Sequence, residues 1–506
     1  MAGQHVDVLI VGAGLSGIGA AYRIKTQSPG RTYAVLEARD AIGGTWDLFR
    51  YPGIRSDSDM FTLSYPFRPW TESTSIASGE SILRYIRETA AEFGIDEEIR
   101  FGHRVVSASW SSEDALWTVE ATSAAGPVTF TCSFLYMCSG YYSYTGGHAV
   151  TFPGQEKFTG TVVHPQEWPA DLDYKDKKVV VIGSGATAIT LIPSMADDAA
   201  KVTMLQRSPS YVVSQPGKDP FADGVRSLLP AGVAHQVLRT KNVLMTTAFY
   251  QACRRWPKPL GAVLRKRVAG ALPADIPADP HFVPSYDPWD QRLCVVPDGD
   301  LFTAMRKGKA DVVTDRIRSF TEKGIALESG RELDADIIVT ATGLKMVTFG
   351  QMEISVDGKV VDPGSLYVYK GMMFGGVPNL AWCIGYINNS WTLRADLVSQ
   401  YVTRLLNHMS AHGFTTVGPV MDADDPARSQ SQPFMNLTSG YVQRMIDKLP
   451  KQGGTRPWLA RQNYLLDVVD MKLRRLDDPA MRFGRATGRR TVPASPAEPE
   501  PVAVAS

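Results

Sequence analysis

Cysteine is scarce in this chain. Five among 506 residues (Cys132, Cys138, Cys253, Cys294 and Cys383) are too few and too scattered for a disulfide framework or a zinc site. The expected compartment is therefore reducing and cytoplasmic, and no metal is expected. Charge of one sign is lacking as well. Lys plus Arg is 53 and Asp plus Glu is 52, a net charge of +1. Such a chain has no global field to steer it onto nucleic acid, so no nucleic-acid partner is expected. Nor is there a convincing long apolar run. One uncharged stretch, Val179 to Ala196, has 18 residues, but Gly-Ser-Gly, several hydroxyl residues and Pro193 interrupt it. A strand, a turn and a helix explain it better than a membrane span. Met1 to Gln4 carries no basic region ahead of an apolar core, so no signal peptide is expected. What is present is ordinary globular composition, 44% hydrophobic and 21% charged. At this length it suggests about three domains.

One device occurs twice. Val6 to Val11 leads into Gly12-Ala13-Gly14-Leu15-Ser16-Gly17, and Val179 to Ile182 leads into Gly183-Ser184-Gly185-Ala186-Thr187-Ala188. Each reads as a short buried strand, a glycine turn and an apolar helix. The first glycine permits the tight turn, the second lets backbone approach a pyrophosphate, and the third small residue seats helix on strand. The phosphate then meets unpaired N–H groups at the helix N-terminus. A single such turn is weak evidence. Two, each followed by a second strand, point to two dinucleotide sites.

The second strands separate the nucleotides. Tyr33 to Leu36 ends in Glu37, an acid that accepts from ribose hydroxyls and repels a 2′-phosphate, which suits FAD or NAD. Val202 to Gln206 ends in Arg207 and Ser208, a fork and a hydroxyl suited to a 2′-phosphate and so to NADPH. Cys138-Ser139-Gly140 and Ala341-Thr342-Gly343 close two further apolar strands and suit chain crossings between nucleotide domains. Ser390-Trp391-Thr392 opens a helix with Leu393, Leu397, Tyr401 and Leu405 on one stripe, and its N-terminus suits negative charge on a reduced flavin. The expected fold class is α/β, with two Rossmann-like dinucleotide-binding domains, for FAD and NADP, and a helical insertion. A disulfide reductase would need a close cysteine pair beside the flavin, and Cys132 and Cys138 straddle a strand. Dehydrogenases and oxygenases stay open on these residues alone.

Phe158-Thr159-Gly160-Thr161-Val162-Val163-His164-Pro165-Gln166-Glu167-Trp168-Pro169 matches FxGxxxHxxxWP at every fixed position. Gly43-Gly44-Thr45-Trp46, Tyr51-Pro52-Gly53 and Asp57 match GGxWxxxxYPGxxxD. In these the chain resembles the class B flavoprotein, or type I Baeyer–Villiger, monooxygenases over about residues 5 to 480. RYPGIRSDSDM (50–60), PWDQRLC (288–294) and SWTLRADL (390–397) resemble the ethionamide-activating mycobacterial subgroup. The resemblance implies an enzyme that uses FAD, NADPH and O2. It would insert one oxygen atom beside a ketone carbonyl through a flavin C4a-peroxide, giving an ester or lactone, and would oxidise sulfides. Small apolar ketones or sulfides are the implied substrates. Two alternatives stand beside it, a flavin monooxygenase confined to S- or N-oxygenation and a non-catalytic NADP-sensing flavoprotein.

The resemblance also implies residue roles. Arg292 matches the family's active-site arginine, a fixed cation for a developing oxyanion. Asp57 matches the aspartate that orients it, with an N-cap role for a helix starting near Ser58 as the lesser alternative. Cofactor contacts are expected at Gly12, Gly14, Ser16, Gly17, Glu37, Gly44, Thr45, Trp46, Arg55, Ser56, Asp57 and Val106 on the FAD side. On the NADP side they are expected at Gly183, Ser184, Gly185, Ala186, Thr187, Ala188, Arg207 and Ser208. His164 is expected to act as a hinge or positioning group. The family often carries Lys-Arg where this chain has Gln291-Arg292, which puts more of the NADP selectivity on Arg207 and Ser208.

The expected domain order is 1–145 for the first part of the FAD-binding domain, then 146–215 for a linker and the first part of the NADP-binding domain. A helical insertion (216–285) follows, then the second NADP part (286–345), the second FAD part (346–484) and a disordered tail (485–506). An insertion in this place shapes the substrate pocket in the family. From Phe221 to Ala274 it holds nine Lys/Arg and one acid, Asp223. A solvated helix face is the leading reading of that bias, and weak peripheral contact with an anionic membrane is the second.

Overall fold

The computed structural model describes residues 4–486. Gln4–Val11 forms the first strand, and every residue from Val8 to Val11 is buried. That is the pattern of a parallel strand covered on both faces. It lies between Tyr33–Leu36 and Gly126–Met137, parallel to both, in a nine-stranded sheet. Arg104–Ser111 and Leu116–Ser123 extend the sheet antiparallel from Gly126–Met137. Chain from far downstream then joins it. Glu353–Val356 pairs with Arg104–Ser111, and Leu380–Trp382 pairs with Gly126–Met137.

A second sheet of five parallel strands runs in the order Ala310–Thr314, Lys201–Gln206, Lys178–Ile182, Ile337–Thr340, Thr161–Val163. The uncharged stretch from Val179 is thus a strand followed by the helix Ala186–Met195, with Pro193 inside it. Among the described residues no helix is long and apolar enough to cross a membrane.

The helix Trp391–His412 carries Leu393, Leu397, Tyr401 and Leu405 buried, and it packs on the helix Leu15–Gln27. An Arg23–Asp396 ion pair at 2.7 Å joins the two. The insertion holds helices Pro220–Leu228, Ala231–Arg255 and Pro257–Ala271. Pro230 caps the second and Pro257 starts the third, as expected of residues that lack an N–H and fix φ. The insertion leans on the FAD half. Arg239, 5% exposed, donates from Nη1 to the carbonyls of Phe61, Thr62 and Ser64 at 3.1, 3.2 and 2.8 Å. These close the short helix Met60–Leu63, where a cation is favoured.

The expected tail needs one correction. Arg485 donates to the His412 carbonyl at 2.9 Å and Ala486 to Thr415 Oγ1 at 2.6 Å, so these two residues belong to the folded body. The remainder of that stretch, 487–506, lies outside the described residues.

Candidate active site

The two glycine turns share one shape and differ in enclosure. Gly14 and Gly185 each precede a helix in extended conformation, at φ −80° and −81°. In the first turn Gly17 is buried, and a Cβ there would sit 1.8 Å from the Gly12 carbonyl oxygen. The third small residue therefore serves packing, and Gly17 and Ala188 do not face the cavity described below. In the second turn Gly185 is exposed, and a Cβ would meet nothing within 4 Å.

Both turns open onto one cavity of about 1070 Å³. Gly12, Gly14, Ser16 and Glu37 line one end, with Gly44, Thr45 and Trp46 beside them. Gly183, Ser184, Gly185, Ala186, Thr187, Arg207 and Ser208 line the other. Arg55, Ser56, Asp57 and Arg292 line it as well.

The donor set fits two dinucleotides. Glu37, 5% exposed, already accepts from the N–H groups of Ala13 (2.7 Å) and Arg39 (2.9 Å). Burial raises its pKa and these bonds hold it down. It stands at the end of its strand, where a ribose is expected. Ser139 Oγ and Arg55 Nη2 are buried without a protein partner. Arg207 is exposed and forms no ion pair among the described residues, which leaves its fork for a 2′-phosphate. Arg207→Ala should raise the NADPH KM by the loss of a charge-assisted contact worth about 1.5–3 kcal/mol. NADH kinetics should barely move. Steady-state kinetics with both nucleotides checks this, and equal losses would give Arg207 a structural role instead.

The GGxW…YPG segment is a tongue between the domains. Tyr51 packs into the NADP-domain core, and burial pushes its phenol up to about 12. Gly53 has φ +74°, and a Cβ there would lie 1.7 Å from Ser194 Oγ on the second glycine-turn helix. Arg55 pairs with Asp300 at 2.5 Å. The tongue thereby delivers Asp57 to Arg292. Arg292 Nη1 donates to Asp57 Oδ2 at 2.9 Å, and Nη2 to the Tyr386 carbonyl at 3.4 Å. Burial pulls the guanidinium pKa down, but Asp57, Tyr141 and Tyr441 more than offset it, so the net shift is upward. The group is a permanent cation on the cavity wall. The helix cap near Ser58 is Asp59, whose Oδ1 accepts from Thr62 N–H at 3.0 Å, so the N-cap reading of Asp57 is set aside.

His164 ends the edge strand Thr161–Val163. Its Nδ1 accepts from Gln166 N–H at 3.2 Å, its ring fills the space beside Gly147, and burial lowers its pKa.

Three expectations need correction. Val106 is 39% exposed and turned away from the cavity, which Val105 lines instead. No residue of 216–285 lines the cavity. The insertion backs its wall, with Val243 packed on Tyr386 and Leu393. Finally, a close cysteine pair does exist. Cys383 follows the strand that pairs Trp382 with Met137, so it lies opposite Cys138. Both are buried free thiols, close enough to influence each other's ionisation. Sequence spacing gave no sign of this, because the partners are on strands far apart in the chain. Sequence reasoning also missed Tyr141, Tyr386, Tyr441 and Arg444 in the lining.

Comparison with known proteins agrees with this geometry. The profile of flavin-binding monooxygenase-like proteins matches residues 6–226. The FAD-containing monooxygenase EthA of Mycobacterium tuberculosis is 52% identical over 483 residues, covering 95% of this chain and 98% of that one. The chain belongs to this monooxygenase family. EthA of Mycolicibacterium smegmatis is 50% identical over 481 residues, 95% of this chain and 97% of that one. Among solved structures, an oxidized steroid monooxygenase bound to NADP aligns with TM-score 0.75 at 22% identity, over 95% of this chain and all of that one. A cyclohexanone monooxygenase in an open form aligns with TM-score 0.69 at 21% identity, over 82% of this chain and 90% of that one. At that identity these two bear on the fold, an α/β pair of Rossmann domains.

Proposed function

We propose that this FAD- and NADPH-dependent monooxygenase inserts one oxygen atom of O2 beside the carbonyl of small apolar ketones, giving esters or lactones, and also oxidises sulfides. One observation carries the reading. The Arg292–Asp57 pair lies in the cavity that both glycine turns share. When bound, NADPH supplies hydride and FAD the oxygen activation. The protein's part is to place them and to manage charge. The first turn and Glu37 hold one nucleotide, and the second turn with Arg207 and Ser208 holds the other. Arg292 faces the oxygen on which negative charge develops during attack on a carbonyl, and as a preorganised cation it needs no proton exchange. Asp57 fixes its direction. A sensor that only bound NADP would have no use for this cation. An enzyme confined to S- or N-oxygenation would have less need of it, because a sulfide attacks as the nucleophile.

Aerobic NADPH turnover with a panel of ketones, sulfides and amines tests the proposal, with product scored against H2O2. Ester from a ketone supports it. Sulfoxide or N-oxide alone favours the narrower monooxygenase, and NADPH binding with no product favours the sensor.

Contact with an anionic membrane rests on fewer charges than the sequence count suggests. Five of the nine basic side chains have protein partners. Arg226 donates to Trp70 and Glu72 carbonyls and Arg239 to three others. Lys241 pairs with Asp219, Arg254 with Asp290, and Arg265 bonds the Tyr211 hydroxyl. Arg255, Lys258, Lys266 and Arg267 stay exposed, around Trp256 (55% exposed) and Val263 (47%). An exposed aromatic with cations near it in sequence suits a headgroup boundary. Flotation with phosphatidylserine vesicles should show binding at low salt that high salt and Trp256→Ala both weaken. No binding at low salt would end this reading.

A further inference from the structure

We propose that Tyr386, Asp467 and Arg394 form a buried positioning network that sets the Arg292 guanidinium through the Tyr386 carbonyl. The inference rests on the reading of Arg292 given above. Arg292 has one firm anchor, Asp57 at 2.9 Å, and one long contact, the Tyr386 carbonyl at 3.4 Å. Where that carbonyl sits decides whether Nη2 is turned to main chain or left for the cavity.

The carbonyl is held from behind. The Tyr386 hydroxyl donates to Asp467 Oδ2 at 2.6 Å, and Arg394 Nη1 donates to the same oxygen at 2.8 Å. Arg394 also lies 5.2 Å from the Tyr386 ring centroid and donates from Nη2 to the Lys370 carbonyl at 2.8 Å. Next in the chain, Ile387 N–H donates to Gln462 Oε1 at 3.1 Å, and Asn388 Nδ2 to the Gln462 carbonyl at 2.9 Å. Side chain and main chain of 386–388 are thus both tied to the segment 461–467.

Stability alone does not account for the arrangement. Arg394 and Asp467 side chains are 1% and 6% exposed, and a buried ion pair of this kind is commonly no more stable than an apolar replacement. Its use is geometric. Arg394 belongs to the SWTLRADL stretch, which neither glycine turn nor either signature explains. The network links that helix, the C-terminal segment and the Arg292 wall.

Tyr386→Phe removes one hydroxyl and leaves Arg394 paired with Asp467, so it should fold. In flavin-loaded Tyr386→Phe the rate of flavin reduction by NADPH should stay within about twofold of wild type. Product per NADPH oxidised, with 2-octanone and thioanisole as probes, should fall roughly tenfold as the lost share appears as H2O2, the scale expected for a sub-ångström misplacement. Asp467→Asn should do the same, and the double variant should be no worse than the single ones. Hydrogen exchange at the Ile387 amide should speed up in both variants. A merely structural role would lower the melting temperature and flavin content without moving the product-to-H2O2 ratio of loaded enzyme. Unchanged ratios would overturn the inference whatever the Ile387 exchange shows, and Tyr386→Phe alone decides it if Asp467→Asn does not fold. Arg292→Ala separates this failure from the larger one. If it too keeps the wild-type ratio, or if wild type oxygenates neither probe, the reading of the site fails and not only that of the network.

Discussion

Arg292→Ala should fold, bind FAD and be reduced by NADPH, yet make almost no ester from a ketone. The side chain is 34% exposed and its partner Asp57 is 50% exposed, both toward the cavity. Removing the cation leaves a carboxylate that water can solvate, and such pairs contribute about 0–1 kcal/mol to stability. The catalytic loss is of another size. Taking one preorganised donor from a developing oxyanion costs about 2.7–4 kcal/mol, or roughly 10²–10³ in rate. NADPH consumption should then be recovered chiefly as H2O2. Sulfide oxidation should survive better, because no oxyanion forms on a carbonyl there. Arg292→Lys should recover only part of the activity. A point charge cannot reach Asp57 and the Tyr386 carbonyl together, as the fork does. Asp57→Ala should show a milder loss, of orientation rather than of charge. Ester and H2O2 measured against NADPH consumed, with flavin bleaching followed separately, give the readout. Wild-type ketone turnover in Arg292→Ala would remove the centre from this place in the fold.

The parts of this site that were legible in sequence are those with a local cause. A glycine turn needs small residues at fixed offsets, so both turns could be read directly, and so could the acid and the base that end the second strands. Asp57 and Arg292 are 235 residues apart. Only the resemblance joined them, and the tongue geometry at Gly53 shows how the chain does it. Val106 failed for a nameable reason. The pairing of Arg104–Ser111 with Leu116–Ser123 slips between Val105 and Ser107. A slip of one residue exchanges the two faces of a strand. The basic insertion misled because a charge count cannot see that Arg239 and Arg226 spend their donors on backbone carbonyls. Tyr386 and Asp467 carried no signal, and Arg394 carried only its place in the SWTLRADL stretch, with no hint of a partner. Their contact needs three segments folded together, and each residue alone is ordinary.

The contrast between the two turns yields the other large effect. Gly185→Ala should fold with an unchanged melting temperature, because the new methyl meets no protein atom within 4 Å and φ −81° suits any residue. The methyl would instead enter the space where backbone N–H groups are to meet the NADPH pyrophosphate. Holding the phosphate off costs one or two charge-assisted bonds of about 1.5–3 kcal/mol each. At about 1.4 kcal/mol per decade, NADPH affinity should fall roughly a hundredfold, with flavin content intact. Gly17→Ala should do the reverse. Its methyl would lie 1.8 Å from the Gly12 carbonyl oxygen, which is backbone and has no room to retreat with Cys138 behind it. The helix must lift from the strand, so this variant should be recovered colourless or not at all. Flavin absorbance, the melting temperature and an NADPH titration on the two variants separate these outcomes. If Gly185→Ala bound NADPH normally, the second turn would not be the nucleotide cradle, and Arg207 would lose its place in the site with it.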